Sequence, residues 1–176
     1  MIFKEKNNFL HTLEYSYKKY YNLLYNYGLK FINDPELIQD FIQDIFFRLC
    51  KKGSLDDIHE LKIYLLRAMK NTIYDHYTQQ HETINIEDIE FTLSDDSESL
   101  KPFFTKDDKE IQEYQLILKG INTLPSQQKQ ILYLFYIKDL SHKEISEILD
   151  ITPQSSMNAL SKAIRKIRTL INGYPE

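Results

Sequence analysis

The stretch DLSHKEISEILDITPQSSMNALSKAI, residues 139–164, predicts two short helices joined by a tight turn. Ser141 with a glutamate three residues later forms a capping box, which satisfies backbone N–H groups at the start of a helix. Asp150 falls at the turn, where the left-handed conformation is required and Asp tolerates it better than most residues. Thr152 then caps a second helix, and Pro153 takes its first position. This pattern is typical of a helix-turn-helix.

The second helix of this hairpin has two distinct faces. Apolar residues at helical spacing predict the inner face: Met157, Leu160, Ile164, Ile167 and Ile171. The outward side chains of its first turns would meet base edges in the major groove. They are Gln154, Ser155, Asn158, Ala159 and Lys162. Amides bond adenine and an alanine methyl contacts thymine, so this face predicts an A/T-rich site.

The end of the same helix is basic, since Lys162 is followed by Arg165, Lys166 and Arg168. These side chains predict contacts to backbone phosphates. Ser156 falls near the packing side of the first turn, where an apolar residue would anchor the helix better, so we expect weak intrinsic affinity for DNA. A hairpin that packs on another protein, with its basic end merely solvated, is the alternative.

The net charge of −4 is unevenly distributed along the chain. Residues 1–80 carry 11 basic and 10 acidic side chains, residues 81–118 carry 3 and 11, and residues 119–176 carry 8 and 5. The acidity therefore belongs to the middle, whose mixture of acids, Ser and Pro predicts a solvated linker. Both flanking regions remain free to meet a polyanion such as DNA.

The sequence of the N-terminal region predicts three helices. The first has an apolar stripe from Leu13 to Phe31, the second begins with Asn33 or Asp34 as its cap and ends at Gly53, and the third follows a loop over residues 53–57. Beyond the linker, residues 111–121 predict a fourth amphipathic helix and Pro125 opens a fifth. We therefore expect an all-α protein of two small helical bundles joined by an acidic linker.

Several classes of protein are disfavoured by the sequence. The longest apolar run, residues 131–137, is far shorter than the roughly 18 residues of a membrane span, and no signal-peptide layout opens the chain, so a cytoplasmic protein is expected. Cys50 is the one cysteine, and its apolar surroundings predict a buried thiol. Neither a metal-binding histidine pattern nor a Gly-rich phosphate loop occurs, so we expect no catalysis, no cofactor and no metal.

The segment LPSQQKQILYLFYIKDLSHKEISEILDITPQSSMNALSKAIRKIR, residues 124–168, resembles the C-terminal promoter-reading domain of extracytoplasmic-function sigma factors of bacterial RNA polymerase. The positions that fall on the family pattern are Leu124, Pro125, Leu140, Ser141, Glu144, Ile145, Leu160, Ala163 and Arg168. Ser146 replaces the usual Ala, Asp150 the usual Gly, and Ser155 with Ser156 the usual Thr-Val pair. These departures affect the expected recognition of a DNA sequence more than they affect the expected fold.

The segment DPELIQDFIQDIFFRLC, residues 34–50, is similar to the polymerase-docking helix of the same family. Asp40, Gln43, Asp44, Phe46 and Arg48 fall on the family positions. The docking set that the resemblance implies is Asp40, Gln43, Asp44, Phe47 and Arg48. The acidic and amide members share a polar face suited to a basic helical partner. A merely solvated face is the alternative for these residues taken alone.

The segment ELKIYLLRAMKNTIYDHYTQQ, residues 60–80, looks like the family's element that melts and holds the minus-ten promoter element. The resemblance implies a pocket for a flipped base formed by Asn71 and the loop with Ser54, Leu55 and Asp56. It implies phosphate contacts by Lys62, Arg67 and Lys70. Three tyrosines are candidates for stacking on unpaired bases, although a core position is equally compatible with each: Tyr64, Tyr74 and Tyr77.

The resemblance implies a sigma factor with three segments: a region 2-like domain over residues 1–81, the acidic linker over 82–108, and a region 4-like domain over 109–176 that reads the minus-35 element. Its implied partners are promoter DNA, an anti-sigma factor, and core polymerase through the β′ clamp helices and β flap, with no small-molecule substrate. Two alternatives remain. Another protein or ribonucleoprotein directs the factor to DNA, or the chain is a simple helix-turn-helix regulator.

Overall fold

The computed structural model describes residues 2–80, 89–93 and 116–172, and the regular secondary structure within them is entirely helical. The helices are α1 (Ile2–Gly28), α2 (Pro35–Lys52), α3 (Leu61–Gln80), α4 (116–122), α5 (Ser126–Leu132), α6 (His142–Leu149) and α7 (Pro153–Asn172). The chain divides into two compact units, Met1–Ile84 and Asn85–Glu176. The all-α prediction is confirmed.

The N-terminal unit is a three-helix bundle whose core is built mainly by α2 and α3. The buried residues of these two helices recur at helical spacing: Ile38, Phe41, Ile42, Ile45, Phe46, Leu49, Ile63, Leu65, Leu66, Met69 and Ile73. From α1, Leu24 and Tyr27 are fully buried, and Tyr17 meets the ring of Phe46 edge-on at 5.0 Å between centroids. Burial of these stripes holds the three helices together.

Both ends of α2 follow the sequence signals. The side chain of Asp34 accepts a hydrogen bond from the backbone N–H of Leu37 at 3.1 Å, so Asp34 rather than Asn33 is the cap. Gly53 ends the helix in the left-handed conformation with φ 77°, and its N–H donates to the carbonyl of Leu49. A glycine adopts this conformation without the steric cost that a side chain brings.

The hairpin of the C-terminal unit forms as predicted. Both hydrogen bonds of the capping box at Ser141 are present, and Asp150 has φ 56° at the turn. The hydroxyl of Thr152 accepts from the N–H of Ser155 at 3.0 Å, which caps α7 in front of Pro153. The first half of the predicted fourth helix lies outside the described residues.

The fifth predicted helix departs from regular geometry. α5 continues as a π-helical turn over Tyr133–Ile137, and the N–H of Lys138 donates back to the carbonyl of Tyr133. Asp139 then takes a left-handed φ of 52° and directs the chain toward α6. Single π-helical turns are frequent at functional sites. No residue pattern in the sequence predicted this one.

The described part of the predicted linker is not solvated. Ile89, Phe91 and Leu93 are buried within the C-terminal unit, so the expectation of a solvated segment is wrong for residues 89–93. Three apolar side chains at every second position bury one face of an extended segment. The remainder of the expected linker over 82–108 lies outside the described residues.

Two further side chains are placed differently from the prediction. Cys50 is exposed, because it lies on the outward side of α2 while the neighbouring Leu49 takes the buried position. Met157 is 47% exposed, because Ser156, fully buried, takes the inner position of the first turn of α7. Within the described ranges, no helix has the length and apolar character needed to cross a membrane.

Candidate functional site

The outward face of α2 carries the first set of candidate residues. Asp40, Gln43, Asp44 and Phe47 are all exposed and recur at steps of three and one, which places them on one side of the helix. Phe47 is 57% exposed, and the ammonium of Lys51 lies 4.4 Å from its ring centroid. An exposed aromatic ring beside carboxylates suits a partner that offers both apolar and basic side chains.

The neighbouring Phe46 cannot share this role, since it is buried in the bundle core. A change of one residue along a helix turns the side chain by about 100°, so only one of two adjacent phenylalanines can face outward. The outward ring is Phe47, the residue in the predicted docking set.

A groove of about 410 Å³ runs beside this face, between α2 and α3. Its lining residues are Phe41, Asp44, Phe47, Arg48, Thr72, Asp75, His76 and Gln79. Arg48 crosses the groove: its Nη2 donates to the hydroxyl of Thr72 at 2.8 Å, and its Nε donates to the carbonyl of Asp44 at 3.4 Å. These bonds fix the guanidinium between the helices and leave the carboxylates of Asp44 and Asp75 at the rim.

The loop between α2 and α3 is organised by its own polar side chains. Ser54 donates from its hydroxyl to the carboxylate of Asp56 at 2.6 Å and accepts from the N–H of Asp56 at 2.9 Å. Lys52 and Asp57 form an ion pair at 2.7 Å. The hydrogen bond from Lys52 holds the pKa of the Asp57 carboxyl below its usual value. The loop is therefore a shaped turn presenting carboxylates.

The residues of α3 that were predicted to contact DNA differ in exposure. Arg67 and Asn71 are exposed four residues apart, and Lys62 is half-buried. Lys70 does not fit the prediction: it is only 4% exposed, and its ammonium lies 5.5 Å from the ring centroid of Tyr74. A lysine so enclosed cannot reach a backbone phosphate in this conformation, so we remove it from the predicted phosphate contacts.

In the C-terminal unit, the predicted base-reading side chains lie together on α7. Gln154, Ser155, Asn158 and Lys162 are exposed, and Ala159 is half-buried. The amide of Gln154 donates from Nε2 to Oδ1 of Asn158 at 3.0 Å. Each amide is thus oriented by the other, and each retains groups able to bond a base edge.

The basic end of α7 is divided between two roles. Lys166 donates from Nζ to the backbone carbonyl of Thr123 at 2.7 Å, which ties α7 to the end of α4. Arg165 and Arg168 are exposed, as is Lys162. Those three residues therefore remain the main candidates for the phosphate contacts predicted for this helix end.

The two units match known families separately and in order. The family model described as Sigma-70 region 2 matches residues 16–83, and the one described as Sigma-70, region 4 matches residues 114–167. The chain is 28% identical over 163 residues to the ECF RNA polymerase sigma factor SigM of Bacillus subtilis, covering 92% of this chain and 96% of that protein. The chain belongs to the extracytoplasmic-function sigma factors.

A second sequence relative agrees with this assignment, and a solved structure shares the fold. RNA polymerase sigma factor SigZ of Bacillus subtilis is 26% identical over 144 residues, covering 81% of this sigma factor and 77% of that protein. The solved structure of the sigma factor RpoE from Bartonella quintana, in complex with the anti-sigma factor NepR, has the same fold with a TM-score of 0.56. Its sequence identity is 16%, over 90% of this chain and 96% of that one. The protein is thus an RNA polymerase sigma factor that acts in transcription initiation.

The three tyrosines that are candidates for stacking on unpaired bases differ in how far they are buried. Tyr77 donates its hydroxyl to the carbonyl of Phe31 at 3.1 Å, and Tyr74 meets the Phe31 ring edge-on at 6.0 Å. Both therefore join α3 to the turn that follows α1. Tyr64 is 37% exposed and has the ammonium of Lys52 6.0 Å from its ring centroid, so it retains a face that a base can use.

Sequence reasoning missed the polar contact that joins the two helices of the hairpin. Nδ1 of His142 lies 2.9 Å from the hydroxyl of the fully buried Ser156, and the imidazole stacks on Phe135 at 4.9 Å between centroids. Ser156 was expected to weaken the packing, yet its hydroxyl has a partner. The signal was a histidine at the first position of α6, which faces the first turn of α7.

Proposed function

We propose that the N-terminal unit docks on core RNA polymerase through the outward face of α2 and the groove beside it. The observation that carries this proposal is the combination of Asp40, Gln43, Asp44 and Phe47 exposed on one face. Arg48 supports the face from within, since it is held between α2 and α3 by its bonds to Thr72 and to the Asp44 carbonyl. The polymerase element that suits this face is helical, basic and partly apolar, as the β′ clamp helices would be.

Capture of core polymerase by the immobilised factor tests this face. The double variant Asp40→Lys, Asp44→Lys should lose capture, because it places positive charge against a basic partner. Phe47→Ala should weaken capture without a change of charge. A matched charge control is Glu14→Lys, Glu60→Lys, which reverses two exposed carboxylates elsewhere in the N-terminal unit. Equal capture by the α2 variants and the wild type would contradict the proposal.

The same unit opens the minus-ten element in our proposal. Asn71 and the loop with Ser54, Leu55 and Asp56 would receive a flipped base, while Lys62 and Arg67 would hold backbone phosphates. Asn71→Ala should reduce permanganate reactivity of unpaired thymines at the promoter and leave polymerase capture unchanged. Unchanged reactivity would remove Asn71 from the pocket.

The C-terminal unit would read the minus-35 element with α7, and the β flap of polymerase would be its second contact. Gln154, Asn158 and Ala159 would meet base edges, with Lys162 and Arg165 on phosphates. Asn158→Ala should relax base preference at one position, and Lys162→Ala should weaken binding to all sequences and lower its salt dependence. Footprinting on several promoters separates these effects.

Targeting of DNA through another protein or ribonucleoprotein is the second candidate, and two observations favour it. The bond between Gln154 and Asn158 already occupies part of each amide, and Met157 is exposed beside them. An exposed thioether next to amides is as suitable for a protein partner as for DNA. Footprints indifferent to both Asn158→Ala and Lys162→Ala would favour this alternative.

The remaining parts of the proposal follow from the family. Residues 1–81 and 109–176 would supply the two working domains. Of the predicted linker over 82–108, residues 89–93 pack with the C-terminal unit, and the rest would connect the two domains. An anti-sigma factor would bind this protein and hold it inactive; the structural relative RpoE forms such a complex with the anti-sigma factor NepR. The protein would work in the cytoplasm and catalyse nothing itself, since polymerase performs the chemistry.

A further inference from the structure

Two amide side chains on the outward face of α7 are bonded to each other. Gln154 is the second residue of α7 and Asn158 lies one helical turn later, and both are exposed. Nε2 of Gln154 donates to Oδ1 of Asn158 at 3.0 Å. Side-chain pairs of this kind add little to the stability of a helix. The consequence of the bond is that it fixes the orientation of the two amides.

The turn that carries Gln154 is held in place by other contacts. The hydroxyl of Thr152 accepts from the N–H of Ser155 at 3.0 Å and lies 2.8 Å from the Ser155 hydroxyl. Ser156 is fully buried, and its hydroxyl lies 2.9 Å from Nδ1 of His142. The Ser155 hydroxyl is thus engaged in the helix cap, and the amide of Gln154 projects from a fixed backbone.

The bond leaves different groups free on the two amides. A carboxamide has two N–H donors and one oxygen that can accept two hydrogen bonds. Gln154 uses one N–H and retains the other together with its whole oxygen, whereas Asn158 uses part of its oxygen and retains both N–H donors. A bidentate contact with adenine needs the oxygen and one N–H of the same amide. Gln154 keeps that combination intact.

The position on the helix also favours Gln154 as the residue that contacts the base. In a helix-turn-helix, the N-terminal residues of the second helix meet the base edges. Gln154 lies one turn nearer that end than Asn158, and its side chain is one methylene longer. Oδ1 of Asn158 can only accept, so it selects the orientation in which the Gln154 nitrogen points toward it. Without Asn158, the Gln154 amide is free to rotate and exchange its oxygen and nitrogen.

We propose that Gln154 and Asn158 act as one reading unit: Gln154 bonds N6 and N7 of one adenine in the minus-35 element, and Asn158 is the positioning residue that holds the Gln154 amide. This inference rests on the proposed reading of that element by α7. Holding the amide before DNA arrives reduces the side-chain entropy lost on binding. The N–H donors of Asn158 remain able to contact a neighbouring base. The preference for the adenine nevertheless depends on both residues, which two independent readers would not show.

Replacement of single adenines by 7-deazaadenine tests the reading unit, because this analogue pairs with thymine but lacks the N7 acceptor. The full chain bound to core polymerase first selects its site from DNA with a randomised upstream element. Each adenine of the selected site, on either strand, is then replaced in turn. The affinity for the modified DNA is divided by the affinity for the unmodified DNA. This ratio reports the base contact and does not respond to changes that weaken binding to all DNA equally.

We expect one adenine at which the replacement lowers the affinity of the wild type about fivefold or more, the lower end of what a bidentate base contact contributes. Gln154→Ala and Asn158→Ala should each abolish this loss, and the double variant should add nothing. Both changes place a better helix former at an exposed position, so the hairpin stays folded. Lys162→Ala is the control, since it should weaken binding to every DNA and leave the ratio unchanged.

A pair of variants with equal charge separates positioning from direct contact. Asn158→Asp keeps an acceptor for the N–H of Gln154 but has no donor of its own. It should lower the affinity for all DNA, because a negative charge approaches the phosphates, and yet retain the loss caused by 7-deazaadenine. Gln154→Glu adds the same charge but removes the donor to N7 and to Asn158, so it should abolish that loss.

Three results would overturn the reading unit. The first is the full loss with 7-deazaadenine in Asn158→Ala, and the second is retention of the loss in Gln154→Glu instead of Asn158→Asp. The third is a wild type without a sensitive adenine while Lys162→Ala still weakens binding, and the proposed contact of α7 with DNA would then stand. Indifference to Lys162→Ala as well would count against that contact itself, and the reading unit would fall with it.

Discussion

The contact between His142 and Ser156 predicts a measurable coupling between the two helices of the hairpin. Ser156 is fully buried, and its hydroxyl lies 2.9 Å from Nδ1 of His142. Ser156→Ala removes this partner and leaves a part-buried imidazole nitrogen without it. A neutral hydrogen bond contributes about 1 kcal/mol net, with a range of roughly 0.5–1.5.

A double-mutant cycle isolates that contribution. His142→Ala also removes the stacking on Phe135, but this loss occurs in both arms of the cycle and cancels. We therefore expect Ser156→Ala, His142→Ala and the double variant to give a coupling free energy of about 1 kcal/mol. The exposed Ser161→Ala is the matched control on the same helix and should show no coupling with His142.

Hydrogen exchange of the intact chain provides the assay, because it reports local opening of α6 and α7 without requiring the whole protein to unfold in one step. A loss of about 1 kcal/mol corresponds to roughly fivefold faster exchange of the amides protected by hairpin opening. The reasoning would be refuted if the change in free energy of opening in the double variant equalled the sum of the changes in the two single variants within about 0.3 kcal/mol.

Gly28→Ala should destabilise the N-terminal unit by about 1–3 kcal/mol in thermal unfolding, since the added Cβ would lie 2.9 Å from two side-chain carbons of Ile38. Gly120→Ala is its control: the nearest atom would be 3.5 Å away, so stability should hold or rise by up to about 1 kcal/mol. The ion pair of Asp57 with Lys52 predicts pH dependence of the loop. Because the pKa of Asp57 is lowered, the stabilisation is complete above its ordinary value of 3.8 and is lost as pH falls through the lowered value. The protection of the loop amides, measured relative to their intrinsic exchange rate at each pH, should fall there in the wild type and stay constant in Asp57→Asn; an equal fall in both would refute the assignment.

Local signals in the sequence predicted the helices and most of their ends, although not the π-helical turn that ends α5. Capping signals are local, because Asp34, Ser141 and Thr152 bond backbone groups within three residues of themselves. The left-handed turn at Asp150 and the helix end at Gly53 follow from the conformational preferences of single residues. Helical spacing of apolar residues likewise predicted the inner faces of α2 and α3.

Tertiary structure decided which side chains of those helices remain accessible. Phe46 and Phe47 are identical residues, and Lys70 resembles any other lysine in the sequence, yet burial excludes Phe46 and Lys70 from surface contacts. Burial of a side chain depends on which other parts of the chain pack against it. Helical spacing predicts which face of a helix is buried, but not which residues at the edge of that face are buried.

The packing of residues 89–93 and the contact of His142 with Ser156 were also beyond local reasoning. The alternation in IEFTL, residues 89–93, is a usable signal for an extended buried segment, but five residues within an acidic region are too few to distinguish it from solvated chain. Its partners Ser126 and Tyr133 lie 37 and 42 residues farther along the chain. Contacts over such separations form only when the folded core brings the elements together. Local signals therefore predict the helices, whereas the burial of residues 89–93 follows from tertiary packing.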